Sequence, residues 1–195
     1  ADAANDRVTT YRYDAANRLQ VTIDAAGDVT RVDYDARGNL TQRISYAATA
    51  SAASVTAAYN PALTTADRVT RTIYDREDRP VFTIDPLGQV SEQRYDEFGN
   101  IAATRQYAEP LSAAEFATLT PLTAALAGPR PTAGVDRQTR YAYDRQGKLR
   151  FTVDPAGYIK ENVYNALGQL IETRDLLAMP TTILVDPLDV AALTK

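Results

Sequence analysis

A chain of 195 residues, 45% hydrophobic and 24% charged, carries enough apolar residues for a packed core and does not read as a disordered tail. Its net charge of -4 and pI of about 4.9, with basic residues spread singly among acidic ones, exclude a surface that tracks phosphate, so nucleic-acid binding is not expected. The absence of histidine and cysteine removes the usual general base, thiol chemistry, Cys-ligated zinc and disulfides, and no apolar run approaches the ~20 residues of a membrane span.

Residues 1–5 have no basic and apolar signal region, and both ends read as cut from something longer. The first block, residues 6–46, carries three four-residue turn patterns: Asp14 to Asn17, Asp24 to Gly27, and Asp35 to Gly38. Between the first two, Leu19, Val21 and Ile23 alternate with Gln20 and Thr22, the period of a strand with one buried face. The next strand carries Val29 and ends in Tyr34. Residues 47–66 then break the cycle with an Ala, Ser and Thr-rich stretch, read as an insertion of helical type.

The second block, residues 67–107, aligns with the first without gaps, its turns running Asp75 to Asp78, Asp85 to Gly88, and Asp96 to Gly99. Pro80 stands at the head of its second strand and weakens it locally, because proline cannot donate to a ladder. Residues 108–135 form a second insertion, where Ser112 and Glu115 read as a capping box opening a short helix. The third block, residues 136–176, has its turns at Asp144 to Gly147, Asp154 to Gly157, and Asn165 to Gly168. Residues 177–195 start a further insertion, with Asp186 and Pro187 as a helix start.

The four turn positions have distinct physical duties. Asp or Asn at the first accepts backbone N–H groups, proline at the second (Pro86, Pro155) presets φ, and the fourth must tolerate the left-handed conformation of a bulged hairpin. Steps of 10 and then 11 residues recur in every block, so three turns imply four strands of about seven residues each. The expected fold is therefore mainly β: three four-stranded blocks of antiparallel hairpins forming a strip or part of a spiralling shell, with short α-helical insertions between them.

The pairs Tyr13-Asp14, Tyr34-Asp35, Tyr74-Asp75, Tyr95-Asp96 and Tyr143-Asp144, with Tyr164-Asn165 as a departure, resemble the YD repeats. These are known from bacterial RHS proteins, the BC shell of insecticidal Tc toxins and animal teneurins. The resemblance covers the three blocks, 123 of the 195 residues. It implies a hollow β-shell built from many more repeats than three, in which the best-known members enclose a toxic C-terminal domain. It also implies a bacterial, secreted or surface-exposed parent. The motif with autocleaving aspartates that closes such shells has no match here, and the sequence around Asp154 is an ordinary repeat turn.

The chemistry open to the chain is narrow. The aspartates could be read as a calcium array, but steps of 10 and 11 residues supply one carboxylate per hairpin end, whereas calcium wants several oxygens converging within ~2.3–2.6 Å. Weak cation binding across adjacent hairpins stays open. Tyr13, Tyr34, Tyr74, Tyr95, Tyr143 and Tyr164 suggest a structural ladder, with a glycan-binding strip as the functional alternative. Three lysines and no histidine leave no recognisable nucleophile motif, so no catalysis and no cofactor are expected. Two roles follow: a structural segment partnered by neighbouring repeats and, in the family's manner, an enclosed toxin domain; or an adhesion module binding surface glycans or a protein. Unpaired outer strands predict some self-association of the isolated chain.

Overall fold

The computed structural model describes residues 7–112, 114–115 and 136–176. Among the described residues the architecture is mainly β, as the turn spacing predicts, with twelve antiparallel strands following one another in chain order and no crossover. The described residues fall into two compact units, the first on residues 7–88 with 112 and 114–115, the second on residues 89–111 and 136–176.

The first unit holds β1 (Thr10–Tyr13), β2 (Leu19–Ile23), β3 (Val29–Tyr34), β4 (Leu40–Ser45), β5 (Arg68–Tyr74) and β6 (Pro80–Ile84). The second holds β7 (Val90–Tyr95), β8 (Ile101–Gln106), β9 (Arg137–Tyr143), β10 (Leu149–Val153), β11 (Ile159–Tyr164) and β12 (Leu170–Leu176). Strands four to seven residues long are ordinary. Pro80 opens β6 opposite Tyr74, a place where a missing N–H is tolerated.

The meander sorts the turns. Within each unit the turns that follow a Tyr-Asp or Tyr-Asn pair share one edge, while the mid-block turns share the other, with residues 47–66 beside them in the first unit. Every hairpin closed by a Tyr-Asp or Tyr-Asn turn carries a bulge at the second residue of its outgoing strand. Tyr13 opposes Leu19 but Arg12 opposes Val21, leaving Gln20 unmatched, and Thr41, Val81, Ala102, Arg150 and Ile171 repeat the pattern. A repeated bulge on one edge sharpens the local right-handed twist there. Period-two reading of the sequence does not detect it.

The core of the first unit is Val21, Ile23, Val29, Ile44, Tyr46, Val55 and Val69, with Ala50 and Tyr59 packed against it. Val55, Ala50 and Tyr59 come from the insertion, which folds back over the sheet. This corrects the helical reading of residues 47–66, which form successive turns closed by Ser54 N–H to Ser51 O and Tyr59 N–H to Thr56 O. The carbonyls a helix would have needed are claimed by the sheet: Arg12 donates to Val55 O at 3.1 Å and Ala52 O at 3.0 Å, and Arg31 to Tyr59 O at 2.7 Å. In the second insertion the capping box is present, Glu115 N–H donating to Ser112 Oγ at 3.3 Å and Ser112 N–H to Glu115 Oε2 at 2.8 Å, with helical backbone at residues 114–115. Its continuation and the expected start at Asp186 lie outside the described residues.

Candidate functional site

The chemistry-bearing groups sit first in the turns. At all nine, the fourth residue donates its N–H to the carbonyl of the first at 2.9–3.3 Å, closing a β-turn. All nine fourth positions take positive φ, including the two without glycine, Asn17 and Asp78, both at 61°. One side-chain oxygen of each leading residue accepts the N–H two residues on, as Asp14 does from Ala16 and Asn165 from Leu167. In blocks 1 and 3, and at Asp75 and Asp96, the same oxygen also accepts the N–H four residues on, near 2.9 Å.

At Asp14, Asp35, Asp75 and Asp96 the second carboxylate oxygen is claimed by the fifth turn residue, a position to which period-two reading assigns no role. Arg18 Nε donates to Asp14 and Arg79 Nε to Asp75 at 2.8 Å, while Asn39 and Asn100 amides serve Asp35 and Asp96. The Asp14 carboxyl is held below its ordinary value mainly by the Arg18 N–H and guanidinium. At Asp35 and Asp75, desolvation raises the pKa but is outweighed by these same donors, and the net direction is down.

Neighbouring turns on this edge are tied together. Arg37 Nη1 reaches Asp78 Oδ1 at 3.1 Å and Asn39 Nδ2 reaches it at 2.7 Å, joining block 1 to block 2. Arg18 lies over the Tyr34 ring at 4.6 Å and donates to Asp35 O. In block 3, Lys148 lies over Tyr164 and occupies the space a Cβ on Gly168 would take. The opposite edge is held by the aspartates that open blocks 2 and 3. Asp67 accepts from Ala47 and Thr64 N–H at 2.7 Å, and Asp136 from Ala108 at 2.9 Å, so each pins the neck of an insertion.

The tyrosines have a shared backbone role. The hydroxyls of Tyr34, Tyr74, Tyr143 and Tyr164 donate to the carbonyls of Leu19, Leu40, Ile101 and Leu149, each the first residue of the preceding strand. Tyr95 donates to Gln93 Oε1, and Tyr13 on β1 is half exposed.

One cluster escaped the sequence reading. Glu92 on β7 is only 6% exposed and accepts from the Tyr107 hydroxyl at 2.8 Å and Arg94 Nε at 2.7 Å, with Arg105 at 3.7 Å. Burial first, then the Glu92 hydrogen bond, push Tyr107 up to about 12. The signal for it lay in the alignment: the positions of Glu92 and Arg94 carry Arg31 and Asp33 in block 1, where the same pair is made with reversed charge at 2.6 Å. Such a carboxylate is saturated by its partners and is a packing element. Among the described residues no three His, Cys, Asp or Glu are placed to hold a metal ion, and no helix is long and apolar enough to cross a membrane.

The RHS Repeat family model matches residues 1–29. No curated protein matches the chain. The crystal structure of TcdB2-TccC3-TEV superposes with a TM-score of 0.58 at 17% identity, covering 87% of this chain and 8% of that one. The crystal structure of TcdB2-TccC3 gives 0.58 at 18% identity with the same coverage. A Photorhabdus luminescens Tc holotoxin pore gives 0.57 at 18%, again over 87% and 8%. At these identities the likeness is one of fold, and the chain spans 8% of the length of the chains it matches.

Proposed function

The chain carries an RHS repeat within a fold shared with the TcdB2-TccC3 structures, and from that premise we propose that it is a non-enzymatic wall segment of a large secreted or surface-exposed bacterial protein. In this reading the hairpins tile edge to edge into a β-scaffold, and the whole parent encloses a payload of the toxin type. One observation supports it above the others. The polar groups that could do chemistry are spent on the fold: each turn's leading side chain holds its own backbone, and four of the six ladder tyrosines hold the strand before.

Electron microscopy of the natural full-length parent tests the reading, with a hollow β-walled particle as the expected result. A compact enzyme-like body or an open rod sinks it. A second reading, adhesion, draws on half-exposed Tyr13 beside a cavity lined by Gln20, Arg31 and Asn60. A glycan array with this chain is expected to be blank; specific binding lost in Tyr13→Ala favours the adhesin instead.

A further inference from the structure

The phrase that opens each block, Asp-Arg-x-Thr, is used only in part by the fold. Asp67 turns to the insertion and pins its neck, and Val69 is buried in the core. Arg68, between them, points to the other face of the sheet, because successive strand residues alternate. The pairing shows what stands beside it. Thr22, Thr30, Ser45 and Arg68 oppose one another in turn from β2 to β5, and in the adjoining row Arg43 opposes Thr70.

The arginines of the first unit's strands divide by face. Arg12, Arg31 and Arg71 share the face of Val21, Ile44 and Val69, and all are engaged. Carbonyls of residues 47–66 hold Arg12 and Arg31, and Gln42 Oε1 accepts from Arg71 at 3.1 Å. Arg43 and Arg68 share the opposite face and are exposed, and their guanidinium groups make no hydrogen bond or ion pair among the described residues. Asp33, the one carboxylate within β2–β6, lies on the first face with Arg31. Two like charges therefore stand side by side among hydroxyls with no acid to answer them, on a chain whose net charge is -4.

We propose that this face binds an acidic polypeptide segment in extended conformation, with Asp or Glu at alternate positions, one carboxylate on Arg43 and the next on Arg68. The spacing fits. Arg43 and Arg68 are diagonal neighbours on paired strands, a separation of about 7–8 Å. Side chains two residues apart on an extended chain share a side at about 6.8 Å. The planar guanidinium fork takes a carboxylate bidentately, and the Ser45 and Thr70 hydroxyls flank the pair with neutral donors. Both β4 and β5 are paired on each side, so the site is complete within the chain and stands apart from the wall reading. The β8–β9 junction supplies a natural control: Arg137 stands in the place of Arg68, but Thr104 replaces Arg43, leaving a single guanidinium.

An NMR titration of the isotopically labelled chain with a synthetic peptide of alternating glutamate and threonine tests it, at low ionic strength because exposed charges are screened by salt. Amide shifts centred on β4 and β5 are expected, with several-fold weaker binding in Arg43→Gln and in Arg68→Gln and no saturable shifts in the double variant. Arg137→Gln is expected to bind as the wild type does. A peptide with the same number of glutamates at every third position, where they fall on opposite sides, is expected to bind several-fold more weakly. The dispersion of each spectrum reports that the sheet is kept. Shifts that survive in the double variant, equal binding of the two peptides, or no binding at low salt overturns the proposal. A sulfated oligosaccharide that binds the same residues more tightly than the peptide overturns it in favour of an anionic glycan.

Discussion

At the scale of the residue, the turn aspartate acts as a second backbone. Its Oδ1 takes the N–H groups that the tight turn leaves without carbonyls, and its Oδ2 takes the fifth side chain. Asparagine keeps the first duty, as Asn165 does, but not the charge that meets Arg79, so at neutral pH Asp75→Asn should destabilise, though less than Asp75→Ala. Asp75→Ala should cost roughly 1 kcal/mol by urea denaturation, the scale of a lost cap. The folded-state pKa of Asp75 is lowered, so its contribution is present above the unfolded value near 3.8 and is lost as pH falls through the folded one. Stability should therefore fall with acid below about pH 4, and less steeply in Asp75→Asn. Glycine at the fourth position has a similar two-part logic. Gly27 and Gly157 share a φ of 88°, but a Cβ on Gly27 would meet Ala50 O at 3.0 Å while one on Gly157 meets nothing within 4 Å. Gly157→Ala should cost about 1–2 kcal/mol for the left-handed backbone alone, and Gly27→Ala distinctly more.

At the scale of the element, the insertion at residues 47–66 changes what a strand means here. A hairpin strip has two faces, and the strand alternation of block 1 buries one only because Val55, Ala50 and Tyr59 cover it. Val55 is 1% exposed, so Val55→Ala should lose roughly 1–3 kcal/mol on denaturation, with the unfolding slope unchanged. If residues 47–66 were a loose linker, the substitution would be silent. Residues 47–66 depart from the helix their composition suggests for a specific reason. Alanine propensity is a weak prior, and Arg12 and Arg31 on the sheet out-compete the helix for its carbonyls. Those arginines sit in β1 and β3, far along the chain from the segment they hold, so no local window contains the information.

At the scale of the whole molecule, stability should be uneven. Native-state hydrogen exchange should protect the amides of β2, β3 and β4 most, where Val21, Ile23, Val29 and Ile44 are buried, and those of β12 least, because its side chains are nearly all exposed. Uniform protection to the end of β12 would overturn this gradient. The mainly β, antiparallel fold and the nine turns could be read from the chain alone, because a turn's demands on its first and fourth residues are local and repeat at steps of 10 and 11. Tertiary structure decided the rest. It placed the bulges after the Tyr-Asp turns, sent the tyrosine hydroxyls to the preceding strand, buried Glu92 among arginines and folded the first insertion onto the sheet. Each of these depends on what the neighbouring strand or segment offers across space, and hydrogen-bond partners many residues away leave no period in a sequence.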